Sequence, residues 1–168
     1  AVIIHGRGLD SSVMVKSIVA LHLLVALGGM YGLVVWTLPA DRNRRRSVMA
    51  GAFVAGLYVS LNVWAVAHVH QVFMFTQYAA TPLILGLWIL ALQRRRPVFA
   101  LLAALTFALF GATIPHFAMF NMAVLVIASV VVGARTMRWG QFGRIIGAFA
   151  LAGLVLGAFF LLPLLGRC

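Results

Sequence analysis

Acid is what this chain lacks most. Its 168 residues include only two acidic ones, Asp10 and Asp41, against 13 lysines and arginines. Paired carboxylates for proton transfer, a carboxylate-held metal and an intramembrane proton relay all need more acid than that. Cysteine is nearly absent too: Cys168 stands alone at the last position, so no internal disulfide can form. There is no Gly-Lys-Ser/Thr phosphate loop and no Gly-x-Gly-x-x-Gly turn after a strand. Charge of either sign is scarce at 9% of residues, where ordinary soluble domains carry about 25%.

What is present is apolar. Hydrophobic residues make up 64% of the chain and the mean hydropathy is +1.10. A soluble surface cannot be built from that composition. The net charge of +11 invites a nucleic-acid reading, but a phosphate footprint is a basic patch on one folded face. Here the positive residues cap the ends of apolar runs, so the expected partner is anionic lipid rather than nucleic acid. A basic residue near such a surface contributes roughly 1 kcal/mol.

Three arginine clusters divide the chain. They are Arg42 with Arg44, Arg45 and Arg46; then Arg94, Arg95 and Arg96; then Arg135, Arg138 and Arg144. The apolar stretches between them approach the ~20 residues that a membrane-crossing helix needs. The pattern predicts an all-α, polytopic membrane helix bundle of about six transmembrane helices. The expected spans are 17–38, 47–67, 72–92, 97–114, 117–133 and 145–165, after an outer-side segment 1–16. Pro97 suits a helix start, where its missing amide proton does no harm, and Trp139 is placed as an interfacial anchor.

Ten of the thirteen basic residues fall in the three clusters, with Arg7, Lys16 and Arg167 on the opposite side. By the positive-inside rule the arginine loops are cytoplasmic and both termini extracytoplasmic. The expected setting is a bacterial or archaeal plasma membrane. Short loops make consecutive helices antiparallel neighbours. Small residues four apart (Gly28/Gly32, Gly51/Ala55, Ala52/Gly56, Gly153/Gly157) suit close helix packing in lipid.

Polar residues that remain gather in the outer halves of the spans: His22, Asn62, Gln71, Gln77, Tyr78, His116 and Asn121. Such groups face a bundle interior or a wet cavity, and their shared depth predicts an outward-opening polar pocket rather than a full-length pore. His22 is expected to turn inward to a polar neighbour. His68, His70 and His116 sit at outer span ends. They are either interfacial side chains or, with a third ligand, a copper, zinc or haem site. Residues two apart do not share a helix face, and no acid or cysteine is near to complete a ligand set, so no metal or cofactor is specified. Asp41 reads as a turn residue after Pro39. Asp10 reads as a helix cap or, weakly, as a catalytic group.

The order of motifs resembles the membrane region of GT-C glycosyltransferases, which take sugars from polyprenyl-phosphate carriers, and in particular their bacterial YfhO-type branch. The likeness is carried by Leu21–Leu24 with Gly29–Leu33, by Ala50–Leu57, by Ala67–Gln71 leading into Tyr78–Leu83, by Gly111–His116 and by Phe160–Leu165. These motifs are loose and span roughly residues 17–165. The resemblance implies a much longer protein with a catalytic acidic loop upstream, of which this chain would be a piece. It also implies that carrier phosphate and acceptor meet in the outer pocket. Asp10 matches no acidic motif of the family.

Two functions are therefore expected. One is part of a glycosyltransferase handling lipid-linked sugars at the outer face. In it, Asp10 is the candidate catalyst and His68, His70, His116, Lys16 and Gln71 are candidate phosphate or substrate ligands. The other is a non-catalytic scaffold or accessory subunit of a larger membrane complex. The anionic headgroup contacts are placed at Arg42, Arg44, Arg45, Arg46, Arg94, Arg95 and Arg96.

Overall fold

A computed structural model describes residues 11–38, 44–62, 72–111, 115–133 and 138–165. Among these the chain is all helical. The elements are α1 (Ser11–Thr37), α2 (Arg45–Leu61), α3 (Val72–Arg94), α4 (Pro97–Thr106), α5 (Pro115–Ala128) and α6 (Trp139–Leu165). Two π-helical turns, Phe107–Gly111 and Ser129–Gly133, extend α4 and α5.

Helices begin and end where local chemistry dictates. Between α3 and α4 the turn is three arginines: Arg94 closes α3, Arg95 takes φ 56 and Arg96 is the extended N-cap before Pro97. A left-handed residue after a helix end reverses the chain, and glycine usually fills that role because it has no Cβ. Here an arginine holds it. At the other charged ends the helices run further than composition suggested. Helix α1 starts at Ser11 and α6 at Trp139, so Arg144 lies on a helix rather than in a loop. Arginine is a good helix former, so Arg144 sits within α6 as readily as an apolar residue would.

Helix α3 is the hub and packs against α1, α4 and α5, while α2 docks on α1 and α6 on α4. Directions follow from the contacts. His22 meets Thr76, and an added Cβ at Gly29 or Gly86 would touch Leu83 or Leu33, so α1 and α3 run parallel. Gly56 faces Leu27 and Ser60 bonds the Leu23 carbonyl, so α1 and α2 are antiparallel. Thr81 pairs with Asn121 and Trp88 with Ser129, making α3 and α5 parallel. The described arginines therefore collect at one end of the bundle.

That end also holds the apolar core, built on Ile84, Leu87, Trp88, Leu92, Ala100 and Ala103, with Leu125, Ala128 and Ile145 closing it. Phe149 of α6 stands edge-on to Trp88 at 5.0 Å. Outward faces are apolar as well: Leu24, Val54, Tyr58, Met119, Val130 and Leu154 are all exposed. Among the described residues three helical stretches, Val13–Thr37, Met74–Arg94 and His116–Gly133, are long and apolar enough to cross a membrane; Pro97–Phe110 is a shorter apolar stretch, as is Trp139–Val155 within the longer α6. Helix α2 is 17 residues long and opens on Arg45 and Arg46.

Small residues mediate close approach, though not always in the expected pairs. Gly29, rather than Gly28, lies against Leu83 of α3; a Cβ on Gly28 would meet nothing within 4 Å. Gly32 is covered by the Trp36 ring of its own helix. On α2 the Ala52/Gly56 pair is buried, whereas Gly51 looks into open space.

Candidate functional site

The half of the bundle away from the arginines is held by hydrogen bonds between helices. On α1, His22 Nδ1 sits 2.6 Å from the Ile18 carbonyl, and its Nε2 lies 2.7 Å from Thr76 Oγ1 on α3. A carbonyl can only accept, so Nδ1 carries the proton and Nε2 accepts from the threonine hydroxyl. The ring is half-buried and tilted against Phe75. The expected inward turn of His22 is what the structure has, with a threonine as its neighbour.

On the next layer Tyr78 of α3 donates to the Val59 carbonyl at 3.0 Å, and the Asn62 amide, just past α2, bonds the Tyr78 oxygen. One turn deeper, Thr81 Oγ1 is 2.9 Å from both the Gln77 carbonyl and the Asn121 side chain of α5. A hydroxyl has one proton. If it goes to the carbonyl, the Asn121 amide must present Nδ2 to the threonine oxygen, an orientation assigned by the network. Gln77 and Asn121 are fully buried, and no buried side-chain nitrogen or oxygen among the described residues is left without a partner. Thr81 stands beside Pro82, which has no amide proton to give to the preceding turn.

Two further bonds escaped sequence reasoning. Trp88 Nε1 donates to Ser129 Oγ at 2.9 Å, and Ser129 passes its own proton to the Leu125 carbonyl at 2.7 Å. Ser60 Oγ lies 3.1 Å from the Leu23 carbonyl across the α1–α2 contact and 2.9 Å from the Gly56 carbonyl of its own helix, so its one proton is shared between them. Lone serines in apolar helices are common, and nothing in their spacing names the opposing backbone or ring.

Of the proposed site residues, Lys16 and His116 are described. Both are exposed, at the starts of α1 and α5, at the end away from the arginines. They belong to different helices and are not in contact; His116 instead neighbours the Phe117 ring at 5.2 Å. Asp10, His68, His70 and Gln71 lie outside the described residues, as do Arg42 and Asp41. Among the described residues no three His, Cys, Asp or Glu side chains come together as a metal site.

Beside the α1–α2 contact, toward the arginine end, lies a groove of about 600 Å³, with Arg44 and Ser47 at its mouth and Val34, Leu38 and Val48 along its walls. Comparison with known proteins returned no match: no family model, no curated protein and no solved structure aligns with the chain. The likeness to GT-C transferases thus stands on the quoted motifs alone.

Proposed function

We propose that this chain is an integral membrane helix bundle that serves as a scaffold within a larger membrane assembly. Its arginine ends are cytoplasmic, its other end faces outward, and its setting is a bacterial or archaeal plasma membrane. One observation carries the reading: the surface is apolar while the polar side chains turn inward and bond across helices. In water that arrangement is inverted; in lipid it is what unsatisfied polar groups enforce. The polar groups of the outer half are engaged in joining α1, α2, α3 and α5, which suits a structural part.

Single-cysteine labelling tests the topology. In a Cys168→Ser background, His116→Cys should react with a membrane-impermeant maleimide on intact cells, and Ser47→Cys only after lysis. The reverse pattern, or equal labelling of both, overturns the orientation. For the scaffold itself, extraction in a mild detergent should release a particle much heavier than the 18.2 kDa chain. A lone protomer would overturn it.

The second reading is a glycosyltransferase part acting on lipid-linked sugar at the outer face. It is favoured by the polar layer lying toward the end that bears Lys16 and His116. Sugar transfer by the intact protein that survives Asp10→Asn and His116→Ala together would remove both residues from that role.

A further inference from the structure

The groove between α1 and α2 has a polarity that runs along the helices. Arg44 caps α2 and Ser47 follows in its first turn, while Gly51 and Ala55 lie one and two turns deeper on the same face. From Ser47 to Ala55 the groove extends about 12 Å along the helix axis. Its walls, Val34, Leu38 and Val48, are apolar throughout.

The opening is local. Five residues further along α2, a Cβ on Gly56 would stand 2.9 Å from the Leu27 backbone oxygen, so the helices touch there. At Gly51 the same Cβ would meet nothing within 4 Å. Ala52, one turn from Gly56 on the same face, is fully buried too, so α1 and α2 stay packed and the groove runs along the side of their contact.

The mouth is strongly positive. Arg44, Arg45 and Arg46 are all exposed, and Arg42 precedes them with Asp41 as the only acid of that loop. The start of α2 has no side-chain cap, so its helix dipole adds to the positive field at the same point. A soluble anion has no use for two turns of apolar wall, and a bare hydrocarbon has none for Arg44. A molecule with an anionic head and an apolar tail fits both.

We propose that this groove is a binding site for one anionic phospholipid, with its phosphate at Arg44 and Ser47 and part of one acyl chain along Gly51 and Ala55. The site rests on the membrane reading, whose own test is the labelling pattern above. A chain that spans the bilayer yet shows no preference for anionic lipid overturns the groove alone.

Native mass spectrometry of the detergent-purified protein tests it, with phosphatidylglycerol and phosphatidylcholine of identical chains. The glycerol lipid should bind more tightly, and Arg44→Gln should weaken it about fivefold. Arg138→Gln, exposed before α6 and outside the groove lining, should leave that first binding event unchanged. Gly51→Leu should abolish it by filling open space, with helicity by circular dichroism retained; Ala55→Leu repeats the test if the first variant fails to fold. Excess inorganic phosphate should not displace the lipid. Equal losses from Arg44→Gln and Arg138→Gln, binding that survives both leucine variants, or displacement by phosphate would each overturn the site.

Discussion

The two halves of this bundle are held by different forces. Next to the arginines, α3, α4, α5 and α6 meet through Ile84, Leu92, Ala100, Ala103 and Leu125, with the Trp88–Ser129 bond at the edge of that core. Away from them, His22, Thr76, Tyr78, Thr81 and Asn121 join α1, α2, α3 and α5 by hydrogen bonds. The charged end thus contains the dry core, and the end poor in charge contains the polar interior. Surface charge and interior polarity are set independently. Arginines answer to what surrounds the helix ends, whereas buried amides and hydroxyls answer to the neighbouring helix.

Substitutions can break this contrast or sharpen it, read from unfolding midpoints in sodium dodecyl sulfate followed by circular dichroism. The largest effect is expected in the dry half: Leu92, fully buried, leaves a cavity as alanine and should cost roughly 2–5 kcal/mol. Gly56→Ala comes next, since its Cβ would press on the Leu27 carbonyl; overpacking of this kind costs about 1–3 kcal/mol. In the polar half, Asn121→Leu keeps the volume but removes the Thr81 partner, and should cost about 1–2 kcal/mol because Thr81 retains its own carbonyl bond. Trp88→Phe loses one interhelical bond to Ser129, for about 0.6 kcal/mol.

Smallest of all is Gly51→Ala, which fills open space and should shift stability by no more than ~1 kcal/mol in the stabilising direction. Were Asn121→Leu to cost more than Leu92→Ala, the polar half would be the true core. Were Gly51→Ala to cost as much as Gly56→Ala, the groove at Gly51 would be filled in solution.

The GxxxG spacing shows how far a sequence of this kind can be read. Gly28 and Gly32 were the conspicuous pair, yet Gly29 makes the contact with α3 and Gly28 points away. The polar residues were a better guide: His22, Gln77, Tyr78 and Asn121 were placed inward by the cost of leaving them in lipid, and each is at least half-buried. What they bond to was not legible. Thr76 and Ser129 carry no signal beyond being hydroxyls in apolar helices, and the parallel packing of α1 on α3 skips a helix in the chain.

Composition by itself determined that the chain is helical and apolar, that its helices are parted by arginine clusters, and that polar side chains within the spans, such as His22, Gln77 and Asn121, belong inside. Those are matters of transfer free energy and helix length, which each residue carries with it. The tertiary structure decided which face of each helix turns inward, which pairs bond, and where a groove runs beside the α1–α2 contact. A helix that is apolar all round has no stripe to fix its rotation about its own axis. Only the shapes of the neighbours, Leu83 against Gly29 and Leu27 against Gly56, settle it.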